Sequence, residues 1–393
     1  MLIQNLKIRK IFATNSLPTI EIELKTRRGS VISSVPIGTS AGKHEAVYFP
    51  TDVAMRKFAI LCRHFRTQSF DSPADVDDMI HILDKTPNFN EIGGNLAVGL
   101  SSAFLKAFAL ESGKELFEYI YEYTKQKKLK TPLPISNVVG GWHGQSDIQE
   151  FLLLPVIQKS FLNSSISISE AYFSIRDKLK KEDRTFAYGK NLESAWITGL
   201  DHEDVLKILT PLASEKLLKI GLDVAASSLW DGRHYVYKND RLIQTEQLGF
   251  ITELVDMFPI VYIEDPFEED EFVFHSTLTH RLSDRNIMVC GDDLYVTNLQ
   301  RLRQGIEYKS TNTVLVKPNQ VGTITDTIKF VEEAKKHGMR TVISHRSGET
   351  EDTLICHLVF GLGCDYIKLG ASGERTTKIN EMIRIEEKIS THR

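Results

Sequence analysis

Three carboxylates close three separate apolar runs of this 393-residue chain, in Gly221-Leu222-Asp223, Ile263-Glu264-Asp265-Pro266 and Cys290-Gly291-Asp292-Asp293. Brought together, such anions repel one another unless a cation or protons neutralise them. An all-oxygen site that must also admit water and substrate suits a hard cation, Mg²⁺ above all. Singly, each acid is an ordinary helix cap or surface ion pair; their repetition at equivalent positions argues for a shared site, with Asp265 and Asp293 as competing ligands. Lys317 and Lys368 end two further apolar runs. A lysine there can simply extend to the rim, but a nearby ammonium or metal should lower its pKa toward that of a working base. In residues 341–353 an apolar run enters a turn holding His345, Arg346, Ser347 and Gly348, followed by acidic residues. Arg346 offers a planar fork for phosphate or carboxylate, and Ser347 with nearby backbone N–H groups adds donors.

Those residues need elements that bring them to one place. From about residue 135 onward, short apolar runs at 151–155, 218–224, 260–264, 287–292, 313–317, 341–344 and 366–369 alternate with helical stretches. Alternating strands and helices imply parallel pairing with covered faces. Charged or titratable residues recur at the run ends, namely Asp223, Glu264, Asp292, Lys317, His345 and Lys368. In a (β/α)₈ barrel those ends converge on one face, where the active site sits. The first third reads differently. Residues 19–25 alternate polar and apolar as a half-buried strand does, Arg28-Gly29 turns into a second strand over 30–35, and helical patterns cover 52–67, 73–85 and 94–112. Residues 125–134, with Pro132 and Pro134, form the expected linker. The predicted fold class is α/β, with an N-terminal α+β capping domain over 1–127 and a (β/α)₈ barrel catalytic domain over 131–393.

A formal net charge of −4 gives no basis for nucleic acid or an anionic membrane as partner. The four cysteines lack CxxC spacing, which speaks for reduced thiols rather than a zinc site or disulfide framework. Lys7, Arg9 and Lys10 interrupt the apolar residues of the N-terminus, and no apolar run is long enough for a bilayer, so a cytoplasmic protein is expected.

An ordered series of motifs resembles enolase along nearly the whole chain. It includes Val35-Pro36-Ile37-Gly38-Thr39-Ser40-Ala41-Gly42, Asn137-Val138-Val139-Gly140-Gly141, Ile148-Gln149-Glu150-Phe151 and Gly221-Leu222-Asp223-Val224-Ala225-Ala226-Ser227. It continues with Ile263-Glu264-Asp265-Pro266-Phe267, Asp292-Asp293-Leu294-Tyr295-Val296-Thr297-Asn298, Leu315-Val316-Lys317-Pro318-Asn319-Gln320, the 344–352 loop and Ile367-Lys368-Leu369-Gly370-Ala371. The resemblance implies dehydration of 2-phosphoglycerate to phosphoenolpyruvate by a glycolytic and gluconeogenic lyase. It implies that Lys317 removes the proton beside the substrate carboxylate and that a first Mg²⁺ on Asp223, Glu264 and Asp292 takes up charge there. Lys368 would add positive charge, Arg346 and Ser347 would hold the phosphate, and His345 would line the site. Ser40 would close over the substrate with a second, substrate-assisted Mg²⁺. Glu193, helped by Glu150, would protonate the departing hydroxyl, with His143 approaching from the same side. Enolases form dimers or octamers of dimers, so a homodimer or higher homo-oligomer is implied.

The departures from the family pattern cluster. Asn191-Leu192-Glu193-Ser194 stands where enolases carry Gly-Asp-Glu-Gly, which predicts a reshaped loop, since glycines allow backbone angles less open to Asn191 and Ser194. The segment from His143 to Glu150 is shorter than usual. Ala13-Thr14-Asn15-Ser16-Leu17-Pro18 replaces Asp-Ser-Arg-Gly-Asn-Pro, and Ile37 replaces a serine. All of these touch the leaving-group side or the small domain, while the metal and base side is intact. The asymmetry leaves two alternatives to enolase activity: an enolase-like lyase acting on a related phospho- or phosphono-carboxylate, and a catalytically silent enolase-like binding protein. Against the second, a scaffold has no use for that charge cluster.

Overall fold

Ile20, Ile22 and Leu24 lie on one side of strand β2 (Pro18–Lys25) and are fully buried, as the alternation requires. β2 pairs antiparallel with β1 (Asn5–Phe12) and with β3 (Ser30–Ser34). Helices α1 (Thr51–Arg66) and α3 (Gly94–Ser112) cover this sheet, and α2 (Pro73–Leu83) packs against α3. Ser72 and Asp75 form a reciprocal capping box at the start of α2, with Pro73 at the first helical position. α3 runs between the small sheet and the barrel helices, so nearly all its faces are buried and its sequence is apolar all round. The computed structural model describes residues 1, 3–39, 42–127, 129–140, 147–157 and 160–391. Among them no single helix is long and apolar enough to cross a membrane.

The rest of the chain is a closed eight-stranded barrel with helices outside it. Its strands are β4 (Leu133–Gly140), β5 (Glu150–Pro155), β6 (Leu218–Asp223), β9 (Ile260–Glu264), β10 (Met288–Gly291), β11 (Thr313–Val316), β12 (Arg340–Ser344) and β13 (Tyr366–Gly370), with β13 closing onto β4. A small hairpin, β7 (Tyr235–Val236) and β8 (Arg241–Leu242), follows β6. Uniform parallel pairing was expected, but β5 is antiparallel to both β4 and β6. Only residues 141–149 separate β4 from β5, fewer than the dozen or more that a parallel crossover needs. Ile135, Leu152, Leu154, Tyr262, Met288, Cys290, Leu315 and Val342 fill the barrel interior, so the site above has a packed floor.

Besides the short β7–β8 hairpin, two strands escaped the sequence reading. The charges on β1 sit on its exposed positions, where they hide the alternation. β4 begins inside the expected linker, because Pro132 and Pro134 are tolerated near a strand start but read as breakers.

Candidate active site

The reversed direction of β5 has a direct consequence. Its first residue, Glu150, lies level with Asp223 at the end of β6, and Asp223 lies level with Glu264 at the end of β9. Lys368 enters from β13 on the opposite wall, itself buried. Its Nζ is 2.7 Å from Asp223 Oδ2, 2.8 and 2.9 Å from the two oxygens of Glu264, and 3.1 Å from Glu150 Oε2. Asp292, just past β10, accepts from Lys317 Nζ through Oδ2, and from Gln320 Nε2 at 3.0 Å through Oδ1. Of these, Glu150, Asp223, Asp292, Lys317 and Lys368 line one cavity of about 720 Å³, open mouth included, together with Glu193, His345, Arg346 and Ser347.

The electrostatics follow from crowding. Burial and the adjacent Asp223 push Glu264 up to about 8 against the pull of Lys368. Burial beside Asp292 takes Asp293 to about 8, and burial beside Asp293 and Asp292 raises Asp265 well above the usual carboxylate range. Burial would lower both lysines, yet Asp292 raises Lys317, and Asp223, Glu150 and Glu264 raise Lys368. The lowering expected for Lys317 was to come from another ammonium or a bound metal; among the protein groups alone its closest charged partner is an anion, and that pair outweighs the cation nearby. Lysine alone leaves the carboxylates under-neutralised, so the donor set fits a hard divalent cation. Oxygens of Asp265, Asp292 and Asp293 also come within 4.8 Å of one another. Asp265, however, is already committed: its two oxygens accept from Asp292 N at 2.8 Å and Asp293 N at 2.7 Å. It shapes the turn carrying Asp292 and has less to offer a metal than Asp223 or Glu264.

On the other flank, Glu193 Oε2 accepts from Asn137 Nδ2 at 3.1 Å and lies 3.5 Å from His345 Nε2. Burial raises Glu193, but His345 and Arg375 outweigh it and hold the carboxyl well below the usual range. Burial and the charge of Glu193 push Glu150 well above that range. The two acids thus form a split pair in which Glu150 keeps the proton and Glu193 the charge. Ser194 takes φ of 63° where the family has glycine. Asn191 Oδ1 accepts from Glu193 N and Ala195 N, each at 2.9 Å. Tyr172 Oη holds Ser194 O at 2.5 Å, and Asp183 gathers Thr185, Thr198 and Gly199 at the loop base.

The turn carrying Arg346 and Ser347 is supported from behind. Arg346 is buried and pairs with Glu45 at 3.0 and 3.2 Å, and Ser347 Oγ accepts from Thr39 N at 3.0 Å. Ile37, in place of a serine, exchanges two backbone hydrogen bonds with Gly348. Thr14 N, in the replaced N-terminal segment, donates to Glu349 O at 2.7 Å. Ser40 and His143 lie outside the described residues.

Sequence reasoning gave no role to Glu45, Gln320, Tyr262 or Arg375. Gln320 sits in a motif already noted, three residues after Lys317, and that spacing was the available signal. Tyr262 points into the barrel and its hydroxyl donates to Glu264 Oε2 at 2.6 Å. The fully buried Arg375 follows β13 and reaches back to His345 and to the carbonyls of Arg346 and Ser347. Nothing in Gly373-Glu374-Arg375 marks it.

The family model described as the enolase N-terminal domain matches residues 3–120, and that of the enolase C-terminal TIM barrel domain matches residues 128–393. The chain is similar to the enolase of Natronomonas pharaonis, 36% identical over 399 residues covering 98% of this chain and 99% of that one. It is 37% identical over 403 residues to the enolase of Archaeoglobus fulgidus, covering 98% of each. With the enolase of Methanothermobacter thermautotrophicus it shares 34% identity over 407 residues, 99% of this chain and 97% of that one.

Proposed function

The chain belongs to the enolase family, and from that premise we infer that it is a carbon–oxygen lyase dehydrating 2-phosphoglycerate to phosphoenolpyruvate. One observation carries the assignment of roles: Lys368 Nζ lies within 3.1 Å of Asp223, Glu264 and Glu150 at once, with Lys317 on Asp292 beside it. So dense a set of opposed charges in an open cavity has a chemical use.

Lys317 is the base that takes the proton next to the substrate carboxylate. Lys317 Nζ donates to Asp292 Oδ2, so abstraction requires that pair to open first. Lys368 places positive charge beside the substrate carboxylate, where negative charge grows. Arg346 and Ser347 bind the phosphate, and Glu45 keeps the Arg346 fork oriented before substrate arrives. The departing hydroxyl is protonated by the Glu150–Glu193 pair acting as a unit, Glu150 storing the proton and Glu193 facing the leaving group. Asp223, Glu264 and Asp292 would hold Mg²⁺, with a second ion at Ser40. What the cation supplies, when bound, is charge to offset the dianionic, enolate-like carboxylate.

Further readings accompany this one. The capping domain spans 1–127 and the barrel 131–393. The protein is a cytoplasmic homodimer or larger homo-oligomer, in keeping with Phe12, Leu17 and Ile32 standing exposed on the small sheet and its hairpin. Light scattering at micromolar concentration showing only monomer would count against that assembly. The activity is tested by following the absorbance of phosphoenolpyruvate formed from 2-phosphoglycerate with Mg²⁺ and then with chelator. A Mg²⁺-dependent rise abolished by chelator is expected; folded protein giving no such rise overturns the reading.

A further inference from the structure

His345 has two ring nitrogens in unlike surroundings. Nδ1 lies 3.0 Å from Arg375 Nε, and a guanidinium can only donate, so Nδ1 must present its lone pair. The proton of the neutral ring then belongs to Nε2. That nitrogen is buried, has no hydrogen-bond partner among the described residues and faces the cavity; the nearest carboxylate oxygen among them, Glu193 Oε2, is 3.5 Å away. Arg375 is itself held rigidly, fully buried, with Nη2 donating to Arg346 O at 3.0 Å and Ser347 O at 2.8 Å, and Nη1 to Thr14 Oγ1 at 3.3 Å. We propose that Arg375 is a positioning residue that locks His345 as its Nε2–H tautomer, making the imidazole a fixed hydrogen-bond donor to an oxygen of the bound phosphorylated carboxylate. Histidine here is a donor and not a proton shuttle. Burial, which keeps the ring below its ordinary pKa, acts in the same direction, with Glu193 pulling against it. Because the same guanidinium holds the carbonyls of Arg346 and Ser347, one side chain sets both the anion-binding turn and the donor beside the leaving group.

The identity of the ligand rests on the enolase reading, but the tautomer does not, and the two fail separately. In protein labelled with ¹⁵N-histidine, with His345→Gln for assignment, the His345 ring at pH 7 should be neutral and protonated at Nε2. Saturating 2-phosphoglycerate should shift the Nε2–H signal. Arg375→Met removes every donor and should give mixed tautomers and a kcat lower by about 10²-fold, the scale of a misplaced group. Arg375→Lys keeps one donor and should restore the Nε2–H form. A wild-type ring protonated at Nδ1 overturns the proposal even where Arg375→Met does not fold. So does an Arg375→Met spectrum identical to wild type, or, in protein that makes phosphoenolpyruvate, a Nε2–H signal unmoved by saturating substrate. Wild type that makes no phosphoenolpyruvate, yet has the Nε2–H ring, refutes the activity and leaves the tautomer standing.

Discussion

The two flanks of the cavity are built by different means. On the base flank, Asp223, Glu264 and Lys368 project from β6, β9 and β13, and Asp292 and Lys317 lie within a residue of the ends of β10 and β11. Each charge there has an opposite charge against it, and the backbone ladder fixes where each side chain starts. On the acid flank, Glu193 rides on a loop held by side chains: Asn191 below it, Tyr172 and Asp183 at its base, His345 and Arg375 across from it. The sequence has kept its family pattern on the first flank and drifted on the second. Ladder geometry leaves no room for drift without moving the charge, whereas a loop that loses its glycines can be rebuilt by an Asx-type turn and one left-handed serine. The second flank keeps its carboxylates but depends on more hydrogen bonds to do so.

Substitutions should expose that difference in a graded way. Lys317→Ala removes the proposed base, and activity should fall by about 10⁴-fold, the upper end for lost acid–base catalysis, in a phosphoenolpyruvate absorbance assay. Loss of a hundredfold or less would mean that another group shares the role and that the base flank is less specialised than its geometry implies. Glu193→Gln should lower the same rate by about 10²-fold, since Glu150 remains beside it with the proton. Asp292→Asn should weaken Mg²⁺ binding by at least about tenfold in calorimetry, as a hard cation loses one of few charged oxygens. Unchanged affinity would move the metal away from this set. Asp183→Asn tests the loop base, where burial alone would raise the carboxyl but bonds from Thr185, Thr198 and Gly199 take it down to about 2. A depressed folded pKa stabilises above the unfolded value of 3.8, and that stability is lost as pH falls toward about 2. The variant should therefore be about 1–2 kcal/mol less stable at neutral pH, with the gap closing in acid, by thermal unfolding across pH. A gap independent of pH would show that charge at Asp183 is not what secures the loop.

Much of this was legible in the chain, and the misses have physical causes. α3 falls on 94–112 as its apolar run predicts, and α1 and α2 begin within a residue of their expected starts, because caps and periodicity are local. β1 and β4 were hidden, one by exposed charges and the other by prolines at its start. Antiparallel β5 was missed because the runs alone do not record direction, although the short 141–149 connection does. The strand-end charges were readable since barrel topology converts sequence position into convergence. The pairing of Lys317 with Asp292 was not, because it depends on side-chain distances that spacing does not encode. Asp265 looked like a ligand until both its oxygens were found on backbone amides, and Arg375 acts across 30 residues of chain on His345.

The central claim is that proton removal and hydroxyl loss are carried by separate flanks. It is tested most directly in Glu193→Gln by following, in deuterated water with Mg²⁺ and 2-phosphoglycerate, both exchange of the substrate C2 proton and formation of phosphoenolpyruvate. Exchange should continue close to the wild-type rate while dehydration drops by about 10²-fold, and Lys317→Ala should lose both. Exchange and dehydration falling together in Glu193→Gln, or exchange surviving in Lys317→Ala, would contradict the division.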